Sequence, residues 1–175
     1  MTEDLQVTIR PASGEDAQSI RDIYAPFVTH SVVSFEEEPP SVDEMARRVA
    51  DSHVWLAAED ASGLCGYAYA ARFHPRPAYR WSTEISVYLA PNTQGRGVGR
   101  RLLGDLLERL VASGFVNAFA GTTLPNRASV ALFESFGFEK IAHQRNAGYK
   151  LGAWHDVGWW QLQLRDPPVP PSKLS

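Results

Sequence analysis

The clearest regularity in the chain lies at its centre, where Thr83 to Leu89 alternates apolar Ile85, Val87 and Leu89 with Glu84, Ser86 and Tyr88. A period of two puts the first set on one face of a strand and the second on the other, so a carboxylate stands on the polar face of a strand. Further on, Val98, Leu102, Leu103, Leu106, Leu107, Leu110 and Val111 recur at helical spacing until Gly114. That stripe predicts the longest helix of the molecule.

The rest of the chain yields shorter elements. Val7 to Arg10 alternates until Pro11 closes it, which predicts a strand. Ser13 and Asp16 have the spacing of a capping box ahead of Ile20, Ile23, Tyr24, Phe27 and Val28, which predict a first helix. Ser31 to Pro40 breaks the periodicity, and Ser41 with Glu44 repeats the capping signal for a second helix. Val54 to Glu59 and Gly66 to Arg72 flank Asp60, Ala61, Ser62 and Gly63, the composition of an antiparallel hairpin. Asn117 to Thr122 reads as a strand, Asn126 to Phe136 as a helix, and Glu139 to Ala147 and Val157 to Leu164 as strands. The order βααβββαβαββ is a mixed α/β arrangement. Residues 1–166 are expected to form one domain, and 167–175 a proline-rich tail unable to pair into a sheet.

Composition narrows the function classes. At 175 residues, with 44% hydrophobic and 21% charged positions, the chain has ordinary globular usage, which excludes intrinsic disorder. Seventeen basic against twenty acidic residues give a net charge of -3, without the basic excess of a nucleic-acid partner. Cys65 is the only cysteine, and no Cys/His cluster has zinc spacing, so neither an internal disulfide nor a metal is expected. Cys65 sits inside an apolar run with no neighbouring histidine, which suits a buried structural thiol. Met1 to Asp4 is acidic where a signal peptide is basic, and no stretch approaches ~20 apolar residues. A cytoplasmic protein without a membrane partner is the expectation.

The segment Gln94, Gly95, Arg96, Gly97, Val98, Gly99, Arg100 joins the central strand to the long helix. Such a junction suits a pyrophosphate, because the first turn of a helix leaves its N–H groups unpaired and carries partial positive charge. Arg96, Arg100 and Arg101 add to that charge. A Walker A loop requires Lys then Ser or Thr where Arg100 and Arg101 stand, and a dinucleotide fingerprint requires G-x-G-x-x-G in the first βα unit. Gln94, Gly97 and Gly99 instead match the Q/R-x-x-G-x-G/A turn of the GNAT acyltransferases. The plainer reading is a tight turn with surface arginines.

The resemblance extends further. Val33-Ser34-Phe35, Ala78-Tyr79 with Trp81, Glu84 with Ser86-Val87-Tyr88, Leu124-Pro125-Asn126 with Ser129-Val130, Ala147 to Lys150 and Trp154 to Gln161 resemble the phosphinothricin and methionine sulfoximine N-acetyltransferase group of that superfamily. The match runs from about Arg10 to Leu164, nearly the whole chain. It implies the GNAT fold, a central mixed sheet of about seven strands flanked by helices, with acetyl-CoA as co-substrate, a small amino acid as acceptor and a homodimer.

By the same resemblance, the backbone of Val87, Tyr88 and Leu89 receives the pantetheine arm, and Gln94, Gly95, Arg96, Gly97, Val98, Gly99 and Arg100 hold the pyrophosphate. Asn126 and Ser129 lie near the thioester, although Asn is also a leading helix cap. Glu84 matches the general base that takes the ammonium proton, its bland alternative being a strand carboxylate paired with a cation. Arg76 matches an arginine suited to the acceptor's acidic groups, against the alternative of a solvated loop arginine. Phe35 and Tyr79 are expected to wall the acceptor pocket; the acid for the departing thiolate is not identified, water sufficing for so acidic a thiol, with Tyr88 a candidate by proximity alone. Phe133 stands where the herbicide-resistance enzymes carry a histidine, which implies weaker phosphinothricin affinity if that histidine assists. His155 and Asp156 read as structural rather than catalytic. Two other readings stay open: acetylation of a protein N-terminus, and a non-catalytic acyl-CoA sensor.

Overall fold

The computed structural model describes residues 7–175, and the acidic Met1–Asp4 lies outside them. Its elements are β1 (Thr8–Pro11), α1 (Ala17–Thr29), α2 (Val42–Asp51), β2 (Val54–Asp60), β3 (Gly63–Arg72), β4 (Ser82–Leu89), α3 (Val98–Ala112), β5 (Asn117–Leu124), α4 (Arg127–Glu134), β6 (Glu139–Lys150) and β7 (Ala153–Gln163). The strands form one sheet in the order β1-β2-β3-β4-β5-β7-β6. Every neighbouring pair is antiparallel except β4 with β5.

Both helix-start signals form. The Ser13 hydroxyl accepts from the Glu15 amide while the Asp16 carboxylate accepts from the Ser13 amide, a box that caps a short 3-10 turn leading into α1. Ser41 accepts from the Glu44 amide at 3.1 Å and starts α2. On one sheet face, Leu102, Leu103, Leu106 and Leu110 of α3 bury against Leu56, Ala58, Ala68, Ala70 and Ile85. Truncating one of these leucines to alanine costs about 2–5 kcal/mol, transfer and cavity terms together. On the other face, Ile20, Tyr24 and Val28 of α1 and Met45 and Val49 of α2 pack on Trp55 and Tyr67. The two-residue period of β4 thus divides its side chains between two cores, Ile85 in the first and Tyr88 against the second.

Several boundaries differ from the sequence reading. Strands β6 and β7 meet at a two-residue tip, Leu151 (φ 52°) and Gly152 (φ 81°), so Gly148 to Lys150 and Ala153 to Asp156, read as a connection, belong to the hairpin. Glycine and tryptophan hid the alternation there. Asn126 lies just outside α4 as its cap. The tail forms no strand, yet Leu174 packs on the α3-side core, the Trp81 indole donates to the Ser172 carbonyl at 2.7 Å, and the Ser175 amide donates to the Ser113 carbonyl. No helix among the described residues is long and apolar enough to cross a membrane.

Candidate active site

The site begins where the sheet opens. β4 pairs β3 along its length, from Arg72 opposite Thr83 to Gly66 opposite Leu89, but meets β5 only at Ser82, Thr83 and Glu84. β5 meanwhile follows β7 from Asn117 to Leu124. Beyond Glu84 the two strands part. The Ala90 amide donates to the Cys65 carbonyl on β3, and strand alternation turns the backbone groups of Tyr88 and Ser86 the same way. Those of Val87 and Leu89 therefore face the opening. Of the three residues expected to offer backbone to a bound arm, Tyr88 is already engaged with β3.

The open edge leads to the glycine turn. Gly95 and Gly97 hold φ of 74° and 80°, a left-handed conformation that costs an L-residue with a side chain about 1–2 kcal/mol. Gly97 caps α3 without any side-chain bond to the helix end. The first intrahelical bond runs from the Arg101 amide to the Gly97 carbonyl, which leaves the amides of Val98, Gly99 and Arg100 without helical partners. A Cβ on Gly99 would press against Leu89, so glycine lets the helix end approach the strand.

The surrounding arginines divide. Arg96 stays at the turn, its guanidinium 3.4 Å from the Asn92 carbonyl. Arg100 bonds the Ser135 hydroxyl at 3.0 Å and lies over the Phe136 ring. Arg101 does not join the turn: its guanidinium reaches the Val7 carbonyl at 2.8 Å, because one step along a helix rotates the side chain by about 100°. Gln94 extends its amide toward the Leu89 carbonyl.

Glu84 is half-buried at the apex of the opening. Among the described residues no cation or donor partners it, and burial alone raises its pKa above the ordinary carboxylate range. The ion-paired alternative is absent. Along the same face, Tyr88 stacks on Tyr67 and takes the edges of Tyr24 and Phe27. Burial pushes its phenol well above the usual value, so it stays protonated at neutral pH. A cavity of about 620 Å³ lies beside this row, walled by Tyr24, Met45, Trp55, Tyr67, Tyr69 and Ala71. No sequence motif marked it, since its wall is assembled from one residue in two on two strands and from two helices.

The loop between α1 and α2 is held by a polar network that the sequence reading missed. The buried Tyr24 hydroxyl contacts the Ser34 hydroxyl at 2.7 Å and donates to Glu36 at 2.9 Å, and Glu36 is bonded by Arg48 at 2.7 Å. Lys150 donates from β6 to the carbonyls of Val28 and Ser34. Phe35 lies on the bare backbone of Gly148, where a Cβ would overlap its ring. Phe35 and Tyr79 are both exposed, at 38% and 43%, the latter packed by His74 and Phe73. Arg76 is exposed at the start of a short 3-10 turn, and only its backbone is engaged.

Asn126 is a helix cap: its Oδ1 accepts from the Ser129 amide at 3.1 Å, and its Nδ2 donates to Thr122 at 3.2 Å. Phe133 points into the core, 5% exposed and packed on Phe138, so its ring does not stand at the opening. Cys65 is buried, its thiol 3.4 Å from the Ala58 carbonyl and its pKa pushed up by burial. His155 and Asp156 do not pair with one another. His155 contacts the Lys150 carbonyl, and Asp156 holds His143 at 2.7 Å and the Asn146 amide at 2.8 Å.

A strand that leaves its neighbour, with a glycine-lined helix end at its tip, is the frame of an acyl-CoA enzyme, and residues 9–159 match the model of the acetyltransferase (GNAT) domain. The chain belongs to the GNAT acetyltransferase family. A phosphinothricin N-acetyltransferase from Streptomyces viridochromogenes is 39% identical to this GNAT chain over 169 residues, 94% of this chain and 92% of the relative. An L-methionine sulfoximine/L-methionine sulfone acetyltransferase from Salmonella typhimurium is 32% identical, covering 94% of this chain and 98% of its own. Among solved structures, a GNAT superfamily phosphinothricin acetyltransferase from Sinorhizobium meliloti in complex with acetyl-CoA aligns with a TM-score of 0.89 at 35% identity, covering 98% of this chain and 94% of that one. The expected GNAT fold is the observed one, with its seven-stranded mixed sheet.

Proposed function

We propose that this acetyltransferase moves the acetyl group of acetyl-CoA to the α-amino group of a small amino acid whose side chain carries an oxidised sulfur or phosphorus, such as methionine sulfoximine, methionine sulfone or phosphinothricin. The observation that carries the reading is Glu84, a half-buried carboxylate without a cation, at the apex of the β4–β5 opening. Burial raises its pKa, which makes it a stronger base than an exposed glutamate.

The donor's two ends fit the residues present. The free amides of Val98, Gly99 and Arg100, aided by Gly95, Gly97 and Arg96, offer a diphosphate its hydrogen bonds. The backbone groups of Val87 and Leu89 offer pairing to an amide-bearing arm, in the manner of an added strand. From Leu89 to Glu84 the strand advances about 17 Å, a span suited to an extended arm between diphosphate and thioester. Asn126 and Ser129, at the start of α4, are assigned to the thioester end in this reading.

A thioester supplies an activated carbonyl and a thiolate leaving group. Glu84 takes the ammonium proton, directly or through one water, and frees the nitrogen lone pair. The N–C bond then forms as the C–S bond breaks. The nitrogen sheds its remaining surplus proton as the amide forms and the departing sulfur takes one up, through water or through the Tyr88 hydroxyl, which regains from the nitrogen what it gives to the sulfur and so stays neutral. Arg76 suits the acceptor's carboxylate, with Phe35 and Tyr79 as apolar walls.

The functional unit is a homodimer in this reading. β6 is the sheet's edge, twelve residues long, and its hairpin exposes Ile141, Tyr149, Leu151 and Trp154 at 51–62%. A long edge strand with exposed apolar groups is a surface that proteins ordinarily cover.

A thiol-release assay with acetyl-CoA tests the reading. Turnover is expected on at least one of the three amino acids. Turnover on a peptide amine with none on the three would overturn it.

A further inference from the structure

The 620 Å³ cavity has a volume ordinary for small-molecule sites, which run to about 300–1,000 Å³. Its position is set by the sheet register. Ala71 stands directly across from Glu84, Tyr69 across from Ser86 and Tyr67 across from Tyr88. Residues opposed in antiparallel strands share a face, so three of the cavity's wall residues flank the Glu84 row. Ala71 is the smallest of them, which leaves the wall low beside the carboxylate.

The chemistry of the wall is aromatic and thioether. Trp55 stacks on Tyr69 with ring centres 4.3 Å apart, Tyr67 lies 5.5 Å from Trp55, and Met45 and Tyr24 face them from the helices. Arg48 also lines the space, but Glu36 and Glu44 occupy its guanidinium, so it is not a free cation there. The remaining charge comes from the exposed Asp51 and Arg72, with Ser52 between the helix and β2.

We propose that this cavity receives the acceptor's side chain, and that it admits amino acids with aromatic side chains as acetyl acceptors. The inference rests on the reading that Glu84 deprotonates an α-amine. In an α-amino acid the side chain departs from the carbon next to that amine, so a nitrogen at Glu84 places the first side-chain carbons over Ala71. A flat ring beyond them meets Tyr69, Trp55 and Met45, surfaces that favour aromatic and sulfur-containing groups.

Steady-state kinetics with L-phenylalanine, L-tryptophan, L-alanine and methionine sulfone test it. Burial of a ring predicts kcat/KM for L-phenylalanine about 30-fold above that for L-alanine. Ala71→Leu raises the wall beside Glu84, and Ser52→Phe fills the space from the end of α2. Each is expected to collapse that preference to less than about threefold, the loss lying in KM. Thermal melting checks that each variant folds, and the two enter from different elements, so failure of one leaves the other informative. Equal use of phenylalanine and alanine by the unaltered enzyme, or an unchanged preference in the folded variants, would overturn the cavity assignment, while turnover of methionine sulfone leaves the reading of Glu84 standing. Absence of turnover on all four amino acids, and on methionine sulfoximine and phosphinothricin as well, would remove both.

Discussion

The ammonium of Lys150 donates to the carbonyl of Ser34 at 2.6 Å, across 116 residues of chain, and to that of Val28 as well. Burial lowers the lysine's pKa by penalising its charged form, against the attraction of Glu36. One side chain thereby ties the β6–β7 hairpin to the loop that carries Phe35. Lys150→Met leaves two carbonyls unpaired and is expected to cost about 1–3 kcal/mol in chemical denaturation. If that loop walls the acceptor side as proposed, KM for the amino acid should rise more than KM for acetyl-CoA, and Lys150→Arg should recover part of both losses.

Replacing Glu84 by glutamine removes the proposed base without changing the shape. The kcat should fall by about 10²–10⁴-fold. In the unaltered enzyme the rate should climb with pH as Glu84 ionises, an acidic limb that the variant lacks. A pH–rate profile of both proteins decides the matter.

The same substitution has an opposite effect on stability. A carboxyl whose pKa is raised on folding binds more protons in the native than in the unfolded state, so its contribution falls as pH rises from the unfolded value through the folded one. Glu84→Gln is therefore expected to melt higher than the parent at pH 8, with the gain shrinking toward pH 4. Calorimetry at the two pH values would read this directly, and a variant that melts lower at pH 8 would contradict it.

Gly97→Ala places a Cβ on a residue at φ 80°. A strain of about 1–2 kcal/mol follows, relieved by rotating the turn and its amides out of place. Calorimetric titration should show coenzyme A binding about tenfold more weakly. The acceptor's KM should change less.

Phe133→His would test whether that position governs phosphinothricin affinity. The ring lies in the core beside Phe138, so a histidine there buries polar nitrogens among apolar groups. A loss of about 2–4 kcal/mol is expected, without a lower KM for phosphinothricin.

Much of the fold was written in local patterns. The alternation of Thr83 to Leu89 and the leucine stripe from Val98 to Val111 formed as read, because each segment's period and burial agree. The β6–β7 tip was misread because Gly148, Gly152, Gly158 and the tryptophans interrupt alternation for reasons of packing: Gly148 yields to Phe35, and Gly158 to Trp160. At the site, Glu84 and the glycine turn were legible because each sits in a single short segment. The aromatic cavity was not, because register brings Trp55, Tyr67, Tyr69 and Ala71 together, and no linear spacing encodes register. Lys150 was invisible for a related reason, since its partners are backbone carbonyls, which carry no sequence signature.

The proline-rich tail joins no strand, yet its Ser172 carbonyl accepts a hydrogen bond from the Trp81 indole, and the carbonyl of Trp81 accepts from the amides of Val116 and Asn117. Trp81 immediately precedes the residues of β4, Ser82 to Glu84, through which, among the described residues, the sheet's two halves pair. Trimming or tagging the chain near Ser172 would thus slacken the seam from which the cleft fans out, three positions from the carboxylate proposed as the base.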